Sequence, residues 1–168
     1  MNMLKGFITI FAFTLMLGVA AFSQTVLTSI EGARVDIEAH NSKVVVLAVG
    51  AAWLPLSNKQ AEFTNALAKK YSGKDVVFYF VATDSTNAKS KIFASDADVL
   101  RFAADKKLTM TVLRDSDGAV MIRKYQIEQV PSFVILDKQG RSSVEPFGGL
   151  DPKFDLTGPI SKLIDKLL

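Results

Sequence analysis

The stretch Val44-Val-Val-Leu-Ala-Val-Gly-Ala-Ala-Trp-Leu-Pro-Leu-Ser57 decides how this chain folds. Residues 44–49 form a near-continuous apolar run rich in β-branched side chains, the pattern of a strand covered on both faces. Residues 50–56 break that run and read as a loop. From Ser57 to Tyr71 apolar residues recur at Ala61, Phe63, Ala66, Leu67 and Ala68, the period of an amphipathic helix. Ser57 stands where an N-cap is expected, and Gly73 where the helix should stop. A buried strand therefore runs through a short loop into a helix.

The rest of the chain continues the alternation. Upstream, residues 25–38 read as a hairpin turning at Glu31-Gly32. Downstream, residues 75–82 repeat the buried-strand pattern, and residues 83–91 are polar and looplike. Residues 99–104 belong to a helix ending near Lys106-Lys107, where cations suit the helix dipole. Residues 111–113 form a short strand, Asp115-Ser-Asp-Gly118 a turn, and residues 119–125 a helix. Residues 130–137 give another strand, Lys138-Gln139-Gly140 a turn, and residues 141–146 the returning hairpin strand. Residues 152–168 close the chain with an amphipathic helix carrying Leu156, Ile160, Leu163, Ile164 and Leu167. The order implies an α/β sandwich with a mixed sheet and right-handed parallel crossovers.

The N-terminus has a different character. Lys5 precedes an apolar run from Phe7 to Phe22, and Ala21-Phe22-Ser23 places small residues at the −3 and −1 positions of a cleavage site. Residues 1–23 are read as a signal peptide and residues 24–168 as a single domain. The expected location is periplasmic or secreted. Left uncleaved, residues 6–22 would instead anchor the domain in a membrane, although a spanning helix needs roughly 20 apolar residues. With no cysteine after the run, a lipid anchor on that residue is excluded. A domain of about 150 residues buries roughly 68–70% of its unfolded surface, so it needs no disulfide staple.

Charge and cysteine content narrow the chemistry. The 168 residues hold 20 Lys and Arg against 17 Asp and Glu, a net +3, and the leader accounts for one of those cations. That balance argues against a nucleic-acid partner. There is no cysteine and a single histidine, His40. A thiolate nucleophile, a disulfide and a thiolate metal site are all impossible, and a His-rich metal site is excluded too. No cofactor is expected.

Four segments in this order resemble the thioredoxin-like superfamily, and within it the exported redoxin branch that includes the thiol–disulfide oxidoreductases of cytochrome c maturation. Residues 44–49 with Ala51-Ala52-Trp53 resemble the strand and loop that deliver the redox motif. Residues 113–118 resemble its strand and Asp-x-x-Gly turn. Tyr125-Gln-Ile-Glu-Gln-Val-Pro131 resembles the approach to the cis-proline, and residues 132–137 with Gly140 the strand and turn that follow. The resemblance implies a three-layer thioredoxin-like sandwich, a central mixed β-sheet flanked by helices, with a cis bond at Val130–Pro131. It also implies a Trp-Cys-x-x-Cys motif, where this chain reads Trp53-Leu54-Pro55-Leu56-Ser57. Leu54 and Ser57 stand at the two cysteine positions. Leu54 cannot ionise, and Ser57 has no base beside it in sequence. The family's activity therefore does not carry over.

The degenerate motif positions, Trp53 to Ser57, remain the candidate site. Trp53, Leu54 and Leu56 could present an apolar surface, and in relatives the backbone before the proline pairs with an extended peptide, which adds Val130 and Pro131. The expected role is a non-catalytic module that binds a protein or peptide. The alternative is a docking subunit in a thiol–disulfide or cytochrome maturation complex whose partner supplies the cysteines. No convergent acid, base and nucleophile is visible. His40 is read as solvated in a polar turn, and Asp115 and Asp117 as parts of a plain turn rather than a calcium loop.

Overall fold

Alternate side chains of strand β3 (Val44–Gly50) enter opposite cores, and all seven residues are buried. Val44, Val46 and Ala48 join one hydrophobic cluster; Val45, Leu47 and Val49 join the other. Fully burying a valine or leucine contributes about 1.5–3 kcal/mol relative to leaving it exposed, so this strand anchors both layers. The computed structural model describes residues 24–168. The expected leader, residues 1–23, and the alternative anchor over 6–22 lie outside the described residues.

The chain order is β1 (Val26–Ser29), β2 (Arg34–Asp36), β3, α1 (Leu56–Lys70), β4 (Val76–Ala82), α2 (Asp96–Asp105), β5 (Thr111–Arg114), α3 (Met121–Tyr125), β6 (Ser132–Leu136) and α4 (Thr157–Leu167). The six strands form one mixed sheet in the order β2-β1-β5-β4-β3-β6. β3, β4 and β5 are parallel, while β6 pairs antiparallel with β3 and the β1–β2 hairpin antiparallel with β5. Phe63, Leu67, Phe102, Ile160 and Ile164 from α1, α2 and α4 pack on one face of the sheet. Met121 and Tyr125 of α3 pack on the other. The α/β sandwich expected from the alternation, with the central mixed sheet flanked by helices that the resemblance implies, is the observed fold.

Three local expectations change. Residues 141–146 do not form a regular strand. The returning segment meets β6 through isolated bridges at Leu136 with Ser142 and Phe133 with Phe147, and through Ser143, whose N–H and hydroxyl both donate to Ile135 O. Three steps along β6 thus face five along the returning segment, so two extra residues loop out around Val144–Pro146. Pro146 has no N–H to offer a ladder there. The last helix begins at Thr157 rather than Pro152, because the Asp155 carboxylate turns the backbone by accepting from the Thr157 N–H at 2.8 Å. The first long helix begins at Leu56, one residue before the position read as its cap.

Candidate functional site

β3 delivers the loop Ala51–Pro55 at the end of the sheet; two side chains hold that loop, and a third ties the strand ends beside it. Ser57 is fully buried, and its Oγ accepts from the Ala51 N–H at 3.0 Å. It does not cap α1. Pro55 occupies the cap position with no side-chain bond, and the Ser57 hydroxyl turns back to the loop instead. Asp84, just past β4, is also fully buried. Its two carboxylate oxygens accept from the N–H groups of Ala52 at 3.0 Å and Trp53 at 3.3 Å. A buried carboxylate persists only when such donors face it. One turn into α1, the Gln60 side-chain amide donates to Val49 O at 3.1 Å and Ser132 O at 2.7 Å, tying β3, α1 and β6 together. Gly50 is required by this close approach: a Cβ there would meet Gln60 Oε1 at 2.2 Å.

The loop itself is wound as consecutive turns. The Leu54 N–H donates to Ala51 O at 3.1 Å, and the Ser57 N–H to Leu54 O at 2.9 Å. Leu54 and Ser57 are thus the two ends of one turn at the mouth of α1. Trp53 projects outward and is 49% exposed; Leu54 and Leu56 are half-buried and Pro55 is exposed. Across the sheet end, Val130 is half-buried and Pro131 buried, and the bond between them is cis. Because Val49 pairs with Ser132, Pro131 stands beside Gly50, where the loop leaves the sheet. The tertiary fold therefore brings the two parts of the candidate site to one sheet end.

Chemically, this arrangement holds no activated nucleophile. Leu54 carries no titratable group. The Ser57 hydroxyl is fully buried, and its neighbour is a backbone amide rather than a base. Among the described residues, no group of three or more His, Asp or Glu side chains could hold a metal ion. Asp115 is buried and stitches its turn to α3, accepting from the N–H groups of Val120 at 3.0 Å and Met121 at 2.8 Å.

Three features escaped the sequence reading. His40 is not simply solvated. Its Nε2 lies 2.8 Å from the Tyr79 hydroxyl, and burial, aided by Lys43 and opposed by Asp36, lowers its pKa. Glu38 forms a latch on the start of the domain. It accepts from the Thr25 N–H at 3.2 Å and the Tyr125 hydroxyl at 2.9 Å, and it pairs with Lys124 at 2.5 Å. Finally, a cavity of about 570 Å³ opens between residues 126–129 and the looped-out residues 144–149. It touches the candidate site only through the flank at Gln129 and Ser132, and none of Trp53 to Ser57 lines it. Pro146 at the end of the expected hairpin strand and the Gly148-Gly149 pair just beyond it were the signal for it.

Comparison with known proteins agrees with this geometry. The AhpC/TSA family model matches residues 18–141. The thiol-disulfide oxidoreductase ResA of Bacillus cereus is 28% identical over 140 residues, covering 82% of this chain and 73% of that protein. The crystal structure of a secreted Mycobacterium tuberculosis disulfide oxidoreductase, described as homologous to E. coli DsbE, is 26% identical. It superposes with a TM-score of 0.63 over 83% of this chain and 96% of its own. The exposed lipoprotein thioredoxin Etrx1 of Streptococcus pneumoniae, at 22% identity, shares the fold with a TM-score of 0.67 over 86% of this chain and 100% of its own.

Proposed function

Because the chain belongs to the AhpC/TSA family and contains no cysteine, we propose that it is an exported, non-catalytic docking module that holds an extended segment of a partner protein. The segment lies along the Val130–Pro131 edge, with Trp53, Leu54 and Leu56 as its apolar contacts. The observation that carries this reading is the clamp on the loop. The Asp84 carboxylate and the Ser57 hydroxyl hold Ala51, Ala52 and Trp53 in fixed turns, and a large aromatic side chain is left in solvent. A rigid loop presenting an exposed tryptophan suits recognition, since little conformational entropy is lost on binding. The expected leader and the secreted relative support export.

A second reading keeps the domain within thiol–disulfide exchange, as a docking subunit for a partner that supplies both cysteines. The redox relatives favour it. The experiment is a titration followed by Trp53 fluorescence, with extended peptides bearing either a cysteine pair or serines at the same places. Equal responses support the first reading, and a response confined to the cysteine peptides supports the second. No response from any extended peptide would overturn both.

A further inference from the structure

We propose that the cavity between residues 126–129 and 144–149 is a binding site for a cationic group, the guanidinium or alkylammonium of a basic side chain. The proposal rests on the docking reading for how a peptide side chain arrives, and on the cavity itself for its chemistry. The cavity exists because the returning segment carries two residues more than its bridges to β6 require. Glu128 and Glu145 line it from opposite walls of sequence; both are exposed, and neither forms an ion pair with a described residue. Lys124 also lines it, but its ammonium is matched by the Glu38 carboxylate 2.5 Å away. The charge offered to a ligand is therefore negative, and a phosphate or carboxylate would meet two like charges.

A second observation points to a ligand. Ser132, the most deeply buried residue of the lining, has an Oγ with no hydrogen-bond partner. Buried polar side chains are nearly always paired, so this unpaired hydroxyl in the cavity wall is the acceptor left for a donor that enters from outside. An N–H-rich head group supplies donors for the serine and for both carboxylates. Val144 and Pro146 offer apolar surface to the methylene stem. The site also flanks Pro131, so a segment on that edge could drop one side chain into it.

The test uses the purified protein and four probes: free N-acetyl-arginine methylamide, and three five-residue extended peptides that differ only at the central position, arginine, norleucine or glutamate. Backbone amide shifts of Gln129, Gly148 and Gly149 report the cavity; Trp53 fluorescence reports the docking edge. Both arginine probes should move the Gly148 and Gly149 amides, which separates a free ligand from a peptide side chain. The arginine peptide should bind about fivefold more tightly than the norleucine peptide, with the advantage shrinking at high salt. Gly148→Val should block the cavity and remain folded, because a Cβ there meets its neighbours, Gln129 and Ser132, no closer than 3.7 Å. Glu128→Gln with Glu145→Gln should erase the preference for arginine without blocking entry. Silent Gly148 and Gly149 amides with both arginine probes, or equal affinity for norleucine and arginine, would overturn the cationic site. In that case Trp53 responses would still support the docking reading. Amide shifts with no Trp53 response to any peptide would support the site and sink the docking reading instead.

Discussion

The Ser57 hydroxyl accepts the Ala51 N–H at 3.0 Å, so the residue standing at the second motif position fastens the loop rather than capping the helix. Removing it strands a buried amide. Ser57→Ala should therefore destabilise the domain by about 1–3 kcal/mol, the usual cost of an unpaired buried donor. Urea unfolding would measure it, and an unchanged midpoint would mean the amide finds another acceptor.

The same turn makes a direct test of the motif correspondence possible. The Ser57 N–H to Leu54 O bond closes one turn between the two positions. Their Cα atoms are then roughly 5–6 Å apart, within disulfide range. Leu54→Cys with Ser57→Cys should form an intramolecular disulfide under mild oxidation, and the outer thiol should titrate below the free value of about 8.5. Mass spectrometry with alkylation reads the first and thiolate absorbance the second. A folded variant that stays reduced, or forms only dimers, would refute the correspondence.

Asp84 clamps the loop from another element. Asp84→Ala frees the Ala52 and Trp53 amides together, and hydrogen bonds to charged groups contribute about 1.5–3 kcal/mol each. The variant should be less stable and should expose those two amides to hydrogen exchange ahead of global unfolding. Asp84→Asn, which keeps one acceptor oxygen, should fall between. Uniform exchange across the domain would argue against a local clamp.

Leu54 and Leu56 separate recognition from stability. Both are half-buried at the loop, outside the two hydrophobic clusters. Leu54→Ser with Leu56→Ser should weaken capture of extended peptides at least tenfold, since apolar anchors dominate such contacts. Thermal stability should change little. A sharp loss of stability with binding intact would place these leucines in the core and the docking surface elsewhere.

The Glu38 latch predicts a pH dependence. Burial, and then the hydrogen bond and charge of Glu38, push the Tyr125 pKa far above its ordinary 10.0. The folded state thus keeps a proton that the unfolded state releases near pH 10. The stabilisation is present in full below that value and is lost as pH rises above it. Tyr125→Phe should flatten the alkaline loss of stability while lowering stability at pH 7 by about 1.5–3 kcal/mol, through the lost bond to a carboxylate. Urea midpoints at pH 7, 10 and 11 check both. Tyr79, raised by burial, acts in the same direction.

Much of the architecture could be read directly from local pattern. The runs at residues 44–49 and 75–82 became β3 and β4 because a strand covered on both faces must be apolar at every position. The period of α1 likewise follows from its one buried face. Boundaries and caps were less legible. Ser57 has the composition of a cap, yet Pro55 fits the cap position and leaves the hydroxyl to a partner six residues back. At residues 141–146, the preceding Lys138-Gln139-Gly140 turn could suggest a returning strand, but not that two residues would loop out of its register.

By itself, the sequence determined the layer order and removed thiol chemistry, since periodicity is a local property and a missing sulfur is absolute. The tertiary structure alone decided which groups meet. Asp84 reaches the Trp53 amide across 31 residues, Gln60 reaches Ser132 across 72, and Tyr125 reaches Glu38 across 87. Such partners are chosen by sheet register and by which strands are neighbours. A short window of residues carries a preference for strand or helix, but it holds no record of what a distant strand will bring beside it.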